Sequence, residues 1–284
     1  MLGSILVPGA TGRLGRIVVR ALLDQGQPVR ALTRRPQVAT SLFGQRLEIA
    51  EGDFAEPRSL DRALSSVDRI LLLSPLSEWL IDHQVALVEA AERQGVRRVV
   101  KISGSSWTIE SADRSIAGNA HRTVERRLVG GAIESVSIRP NAWIQASLPP
   151  QIARARSGQS IVTLCGDAAV SYVDARDIAD VAIAQLLAEE ISPDPLVLTG
   201  AEALDIRALA DLLSVHVRRP VAWTSESPTR SWSLTFEQRT IAEFLALIGE
   251  GRAAPVTTTV ERVLGRPPRS VADFLSEQLQ DVAA

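Results

Sequence analysis

Ser4-Ile5-Leu6-Val7-Pro8-Gly9-Ala10-Thr11-Gly12-Arg13-Leu14-Gly15 is the stretch that decides the fold. Ser4–Val7 is a short apolar run suited to a buried parallel strand. From Arg13 to Leu23 the residues Leu14, Ile17, Val18, Ala21 and Leu22 recur at helical spacing, and Val29–Leu32 is the next strand. A glycine triplet that closes a strand and opens a helix is a phosphate cradle. The early glycines let the backbone turn and approach a pyrophosphate, whose charge rests on free N–H groups at the helix N-terminus. Gly15 lets that helix pack close to its strand. Glycine is common in turns of every kind, but here the triplet sits inside the required strand–helix–strand frame. Gly9, Thr11, Gly12, Arg13, Leu14 and Gly15 are therefore expected to hold a dinucleotide.

The end of the second strand says which dinucleotide. A site for NAD places an Asp or Glu there to accept hydrogen bonds from the ribose hydroxyls. This chain has Thr33-Arg34-Arg35-Pro36, with no acid between Gln25 and Arg46. A carboxylate would repel a 2′-phosphate, whereas a guanidinium grips it bidentately. The reading favours NADP(H), with Arg34 as the clamp, over two arginines that merely face solvent.

Composition sets the outer bounds. The 284 residues suffice for one large domain, or one domain and a smaller lobe. A net charge of −2 gives no electrostatic reason to expect nucleic acid or an anionic membrane as partner. Cys165 is the one cysteine, so no intramolecular disulfide forms and no metal site is expected. No apolar run approaches membrane-spanning length, and a cytoplasmic protein is expected. A homodimer stays open. The cationic charge is almost all arginine, with Lys101 the sole lysine.

Strands and helices keep alternating along the chain. Leu47–Ala50 reads as a third strand, Pro57–Leu64 as a helix, Ile70–Leu73 as a fourth strand, and Glu78–Gln94 as a long helix stopped by Gly95. Arg98–Ser103 is a fifth strand. A polar loop over Gly104–Asn119 leads to a helix from about Ala120 to Val129, and Ser135–Ile138 is the sixth strand. The pattern predicts an α/β fold with a doubly wound parallel sheet, the Rossmann arrangement, and ligand at the carboxyl ends of its strands. Asp53 and Phe54 follow the third strand, Ser74 the fourth, Ser103 the fifth and Pro140 the sixth, and all are candidate cofactor contacts. Asp53 could equally cap a turn.

Past Pro140 the alternation loosens. Residues 1–145 read as the dinucleotide-binding domain, and 146–284 as a segment that completes the sheet edge and forms a smaller, mostly helical lobe. There, helices are expected at Pro150–Arg156, Asp174–Leu187, Asp205–Val215, Phe236–Ile248 and Pro267–Gln278, with strands at Ser171–Val173 and Leu196–Thr199. Trp107, Trp143, Trp223 and Trp232 fall in the later loops or this lobe. They suit an apolar pocket or ordinary packing between lobes, the latter favoured for Trp223 and Trp232.

Several stretches resemble one family. Ile5–Gly12, Val29–Arg34, Glu51-Gly52-Asp53, Tyr172–Ala179, Leu198-Thr199-Gly200 and Arg266-Pro267-Pro268 with Phe274-Leu275 look like the NmrA-like branch of the atypical short-chain dehydrogenase/reductases. The resemblance spans nearly the whole chain. His121–Glu125 followed by Arg139–Trp143 is similar to the pattern of type 2 NAD(P)H:quinone oxidoreductases. One departure is Pro8, where the family usually carries a residue with an N–H.

A missing pair constrains the chemistry. Most short-chain dehydrogenases use Tyr-x-x-x-Lys, a phenol whose pKa is lowered by an ammonium so that it shuttles a proton. Tyr172 and Lys101, the single tyrosine and lysine, lack that spacing; the family pattern puts Ala117 and His121 in the two places. Ordinary alcohol–ketone interconversion then loses its acid and base. A quinone-like acceptor needs hydride but little proton help, because aromatisation drives the step. The expectation is an NADPH-dependent oxidoreductase acting on a small, flat conjugated acceptor. Asn141, Ala142 and Trp143 would border it, and His121 would donate a proton or simply pair with Glu125. The alternative is a non-catalytic NADP(H)-binding redox sensor of the kind the family's namesake is thought to be.

Overall fold

The computed structural model describes residues 3–227 and 235–283. Its elements run β1 (Ser4–Pro8), α1 (Arg13–Asp24), β2 (Val29–Thr33), α2 (Pro36–Phe43), β3 (Glu48–Glu51), α3 (Pro57–Leu64), β4 (Val67–Leu72), α4 (Leu80–Arg93), β5 (Arg98–Ile102), α5 (Ser106–Glu110), α6 (Ile116–Val129) and β6 (Glu134–Pro140). There follow α7 (Ile144–Ser147), α8 (Pro149–Arg156), β7 (Ile161–Thr163), α9 (Ala175–Leu187), β8 (Leu196–Leu198), α10 (Ile206–Val217), β9 (Trp223–Ser225), α11 (Phe236–Gly249), α12 (Thr259–Leu264) and α13 (Val271–Ala283).

Seven strands form one sheet in the order β3-β2-β1-β4-β5-β6-β8. Every pairing from β3 across to β6 is parallel, in register Ile5 with Val29, Ile70 with Val99 and Val100 with Val136. The parallel arrangement explains the composition of the strands. Helices cover both faces, so Ile5, Leu6, Val7, Ile70, Leu71 and Leu72 are all buried and alternation is lost. The strand order reverses between β1 and β4, and the glycine turn leaves β1 at that switch point, where open α/β sheets bind ligands.

The chain divides into two compact units with several crossings rather than one cut. The first comprises Met1–Gly104, Asn119–Arg139 and Ile178–Leu196; the second comprises Ser105–Gly118, Pro140–Asp177 and Val197–Ala284. In the first unit, Leu60 and Leu64 of α3, Leu87 and Ala91 of α4 and Val124 and Leu128 of α6 pack on Leu6, Ile70, Leu72 and Val99 of the sheet. In the second, Ile144, Leu148 and Ile152 pack with Leu209 and Leu213 of α10 and with Phe274 and Leu275 of α13. Among the described residues no helix is long and apolar enough to cross a membrane.

Some expectations shift. The stretch at Ser171–Val173 is not a strand; Val173 makes an isolated bridge to Trp143, and Val170 one to Leu204. A small second sheet pairs β7 with β9, and neither strand is evident in sequence because each is only three residues long. The polar segment before α6 folds α5, and α6 itself starts at Ile116, so His121 lies inside the helix rather than at its start. Trp232 lies outside the described residues.

Candidate functional site

The turn after β1 has the geometry a pyrophosphate needs. Gly9 adopts φ +67°, a left-handed conformation that a side chain would strain, and its carbonyl accepts the Gly12 N–H at 2.8 Å. A Cβ on Gly12 would stand 3.1 Å from Gly9 O, and one on Gly15 only 2.2 Å from the same oxygen. Gly15 is thus a packing glycine, whereas Gly12 is exposed. Gly12 N-caps α1 with no side-chain cap hydrogen bond, and a helix N-terminus of that kind suits an anion. Leu14 is buried and anchors the helix, while Arg13 and Thr11 stay on the open side. These residues fit a dinucleotide phosphate.

Next to the cradle, Arg34 is 78% exposed and its guanidinium stands 3.5 Å from the Asp53 carboxylate. That contact is worth little in itself, since exposed pairs contribute at most about 1 kcal/mol. It does hold an unburied guanidinium, just past the carboxyl end of β2, toward the residues that follow β3. The Asp53 carboxylate also accepts the Ala55 N–H at 3.0 Å, so the turn-capping role is present too. Phe54 stacks on His83 with centroids 5.5 Å apart.

Deeper in the same unit, a line of polar side chains joins α4, β5 and α6. The Gln84 amide donates to Ser74 Oγ at 2.8 Å, and Gln84 Oε1 accepts from Lys101 Nζ at 2.8 Å. Lys101 Nζ stands 3.0 Å from His121 Nδ1. Burial and the Lys101 charge hold His121 well below its usual 6.5, while burial brings Lys101 down to about 7. His121 therefore does not pair with Glu125. The Glu125 carboxylate accepts Ser103 Oγ at 2.6 Å and a two-point clasp from Arg139, with Nε at 3.1 Å and Nη2 at 2.5 Å.

Spacing along the chain hid Lys101 as a partner of His121. A signal was there: a single lysine inside Arg98-Val99-Val100-Lys101-Ile102 sits in a strand buried on both faces. Such a charge needs polar company.

In the second unit, Pro140–Trp143 is held by a saturated amide. Asn141 Oδ1 accepts Trp107 Nε1 at 2.7 Å and the Ala142 N–H at 2.9 Å, and its Nδ2 donates to Ser171 Oγ and Ala253 O at 2.6 and 2.8 Å. Pro140 O accepts Ser105 Oγ at 2.7 Å. Asn141 spends its hydrogen bonds on shaping the segment that displays Ala142 and Trp143. Trp107 packs edge-on against Phe244, and Trp223 lies under Arg207, both within this unit. The unit also holds a cavity of about 280 Å³, lined mostly by aliphatic side chains together with Tyr172 and Cys165. Burial pushes the Tyr172 phenol up to about 12, so it stays a neutral donor.

The chain is similar to known proteins. The family model for the NmrA-like family matches residues 1–108. An NAD(P)H azoreductase of Xenophilus azovorans is 31% identical over 280 residues, 95% of this chain and 96% of its own. The chain belongs to the NmrA-like family. A second relative in curated proteins, the (4-alkanoyl-5-oxo-2,5-dihydrofuran-3-yl)methyl phosphate reductase of Streptomyces griseus, is 32% identical, covering 98% of this chain and 99% of its own. The NmrA-like chain also shares its fold with an NADPH-dependent quinone oxidoreductase from Escherichia coli crystallised with NADPH. That match has a TM-score of 0.85 at 20% identity and covers 97% of this chain and 99% of the other.

Proposed function

We propose that this chain is an NAD(P)H-dependent oxidoreductase that prefers NADPH and delivers hydride to a quinone, an azo compound or a similarly flat conjugated acceptor. The observation that carries the reading is chain-length identity to two named reductases, together with a glycine cradle whose geometry admits a dinucleotide phosphate. Gly9, Thr11, Gly12, Arg13, Leu14 and Gly15 hold the pyrophosphate and Arg34 the 2′-phosphate. Asp53 and Phe54 border the adenine end; Ser74, Ser103 and Pro140 line the course of the cofactor. When bound, the cofactor supplies the hydride. Asn141 anchors Ala142 and Trp143, which present an apolar wall to the acceptor, and His121 hydrogen-bonds the acceptor's heteroatom. Steady-state NADPH oxidation across quinones, azo dyes and saturated ketones tests this. Turnover confined to the conjugated acceptors is the expected result, and turnover confined to simple ketones would reject it.

Three further expectations follow from the site. Arg34→Ala should remove most of the preference for NADPH over NADH, roughly 1.5–3 kcal/mol for one charge-assisted contact, and leave NADH affinity nearly unchanged in titrations. Trp143→Ala should raise KM for the acceptor, by roughly 1–3 kcal/mol in binding, with little change in kcat. With a quinone, kcat should stay nearly flat from about pH 6 to 8. His121 stays neutral throughout that window, and the reduced quinone takes its proton from water.

A further inference from the structure

Lys101 has no part in hydride delivery as described so far, yet it is fully buried. Its Nζ meets three acceptors: Gln84 Oε1 at 2.8 Å, His121 Nδ1 at 3.0 Å and Ile102 O at 3.4 Å. An ammonium has three N–H donors and no acceptor, so the three neighbours match it one for one. His121 Nδ1 is then obliged to accept. A neutral imidazole that accepts at Nδ1 carries its proton on Nε2, and among the described residues Nε2 has no hydrogen-bond partner.

We propose that Lys101 is a positioning residue for His121: its ammonium fixes the imidazole with the proton on Nε2 and replaces that proton through Nδ1 once it has been given up. This rests on the reading of His121 as the group that meets the acceptor. The step balances. The acceptor gains a hydride, two electrons, at one atom; the His121 Nε2–H bond breaks and its proton goes to the conjugate atom. A Lys101 Nζ–H bond breaks as Nδ1–H forms, which leaves a neutral imidazole and a neutral amine; between turnovers water adds a proton at Nε2 and the Nδ1 proton returns to Lys101 Nζ, which restores the starting tautomer and the ammonium.

The surroundings suit that exchange. The titratable groups facing Lys101 are His121 and Glu125, both on α6; α4 contributes the neutral Gln84, and Arg139 of β6 neutralises Glu125. Burial disfavours the ammonium, and the Glu125 charge favours it. The result, a lysine near 7, can lose and regain a proton at neutral pH. The relay also separates acceptor classes. A reduced quinone leaves as a weakly basic phenolate and can ignore it. Hydride addition to an azo bond creates a strongly basic nitrogen anion, which needs a proton at once.

The chain's composition makes the test direct, because it has one lysine and three histidines. Protein labelled with ¹⁵N at lysine and histidine, free of cofactor, gives one Nζ resonance and three imidazoles, with His121 assigned by His121→Gln. The expected result is an Nε2–H tautomer at low pH that shifts towards Nδ1–H with the same midpoint as Lys101, about 7. Lys101→Met should abolish that coupling and raise the His121 pKa. Where that variant does not fold, the wild-type titration alone decides. A His121 tautomer indifferent to the Lys101 titration, or Nδ1–H while Lys101 is charged, overturns the proposal. In turnover, kcat with an azo acceptor should fall as pH rises past about 7. Lys101→Met should lose that limb and about 100-fold in kcat, with NADPH affinity unchanged. Failure to oxidise NADPH with any acceptor would instead reject the functional reading and leave the tautomer result standing.

Discussion

Gly12→Val should reduce NADPH binding at least about 100-fold, some 2.7 kcal/mol, with the fold intact. The added Cβ meets Gly9 O at 3.1 Å, a contact that small backbone adjustment relieves, so the turn itself survives. Its two methyl groups, however, project where a pyrophosphate must lie against bare backbone N–H groups. The position is exposed and no side chain caps α1, so there is no core contact to lose. Gly15→Val is the contrasting variant. Its Cβ would sit 2.2 Å from Gly9 O and 2.9 Å from Ala10 Cα, with backbone on both sides and no flexible side chain to yield. That variant should lose thermal stability as well as binding. Fluorescence titration with NADPH and circular-dichroism melting separate the two. Undiminished NADPH affinity in a folded Gly12→Val protein would remove the cradle assignment.

Arg98→Met should destabilise the protein by roughly 3–5 kcal/mol, because it strips one partner from a buried ionic network. The Arg98 side chain is fully buried at the start of β5. Its Nε donates to Glu134 at 2.7 Å, and its terminal nitrogens donate to the carbonyls of Gln185, Ala188 and Glu189 at 2.9, 2.6 and 3.0 Å. Those carbonyls belong to the last turn of α9 and the residues just after it, groups that a helix end leaves unpaired and that a cation satisfies well. Methionine keeps much of the volume but takes this donor from the three carbonyls and, among the described residues, leaves the Glu134 carboxylate with Arg97 alone, at 3.4 Å. At about 2–4 °C per kcal/mol for a chain of this size, Tm should drop by roughly 10 °C. A loss below about 1 kcal/mol in denaturant unfolding would show that water replaces the guanidinium without penalty.

Much of the first unit was legible because one physical signal dominated each element. Short apolar runs between helical repeats could only be buried parallel strands, and the glycines at 9, 12 and 15 mark a turn that tolerates no side chain at one position and no bulk at another. The second unit was harder. Its small sheet pairs Ile161–Thr163 with Trp223–Ser225, segments too short for any periodicity and far apart in the chain. Helices α5 and α7 are five and four residues long, below the length at which a repeat can be recognised.

The site divided along the same line. A motif local in sequence, such as the glycine turn between β1 and α1, could be read directly as a turn. Contacts made across the sheet could not: one of the two readings of His121 paired it with Glu125, one turn along its own helix, whereas the fold gives it Lys101 from β5 and gives Glu125 to Arg139 of β6. Asn141 shows the other side of this. Beside a tryptophan it read as a ligand contact, yet among the described residues its side chain bonds Trp107, Ala142, Ser171 and Ala253. Long-range partners of a polar side chain leave no trace in spacing.

The central claim is that hydride leaves NADPH on this protein for a conjugated acceptor, and a single-turnover experiment tests it most directly. Protein carrying one equivalent of NADPH is mixed anaerobically with a benzoquinone, a naphthoquinone or an azo dye, and NADPH absorbance is followed together with acceptor reduction. The account predicts that both signals decay together, with one acceptor reduced per NADPH, and that NADPH deuterated at the transferred position slows the decay. NADPH that stays bound and reduced in the presence of every acceptor would contradict it, and would leave a protein that binds the dinucleotide without spending it.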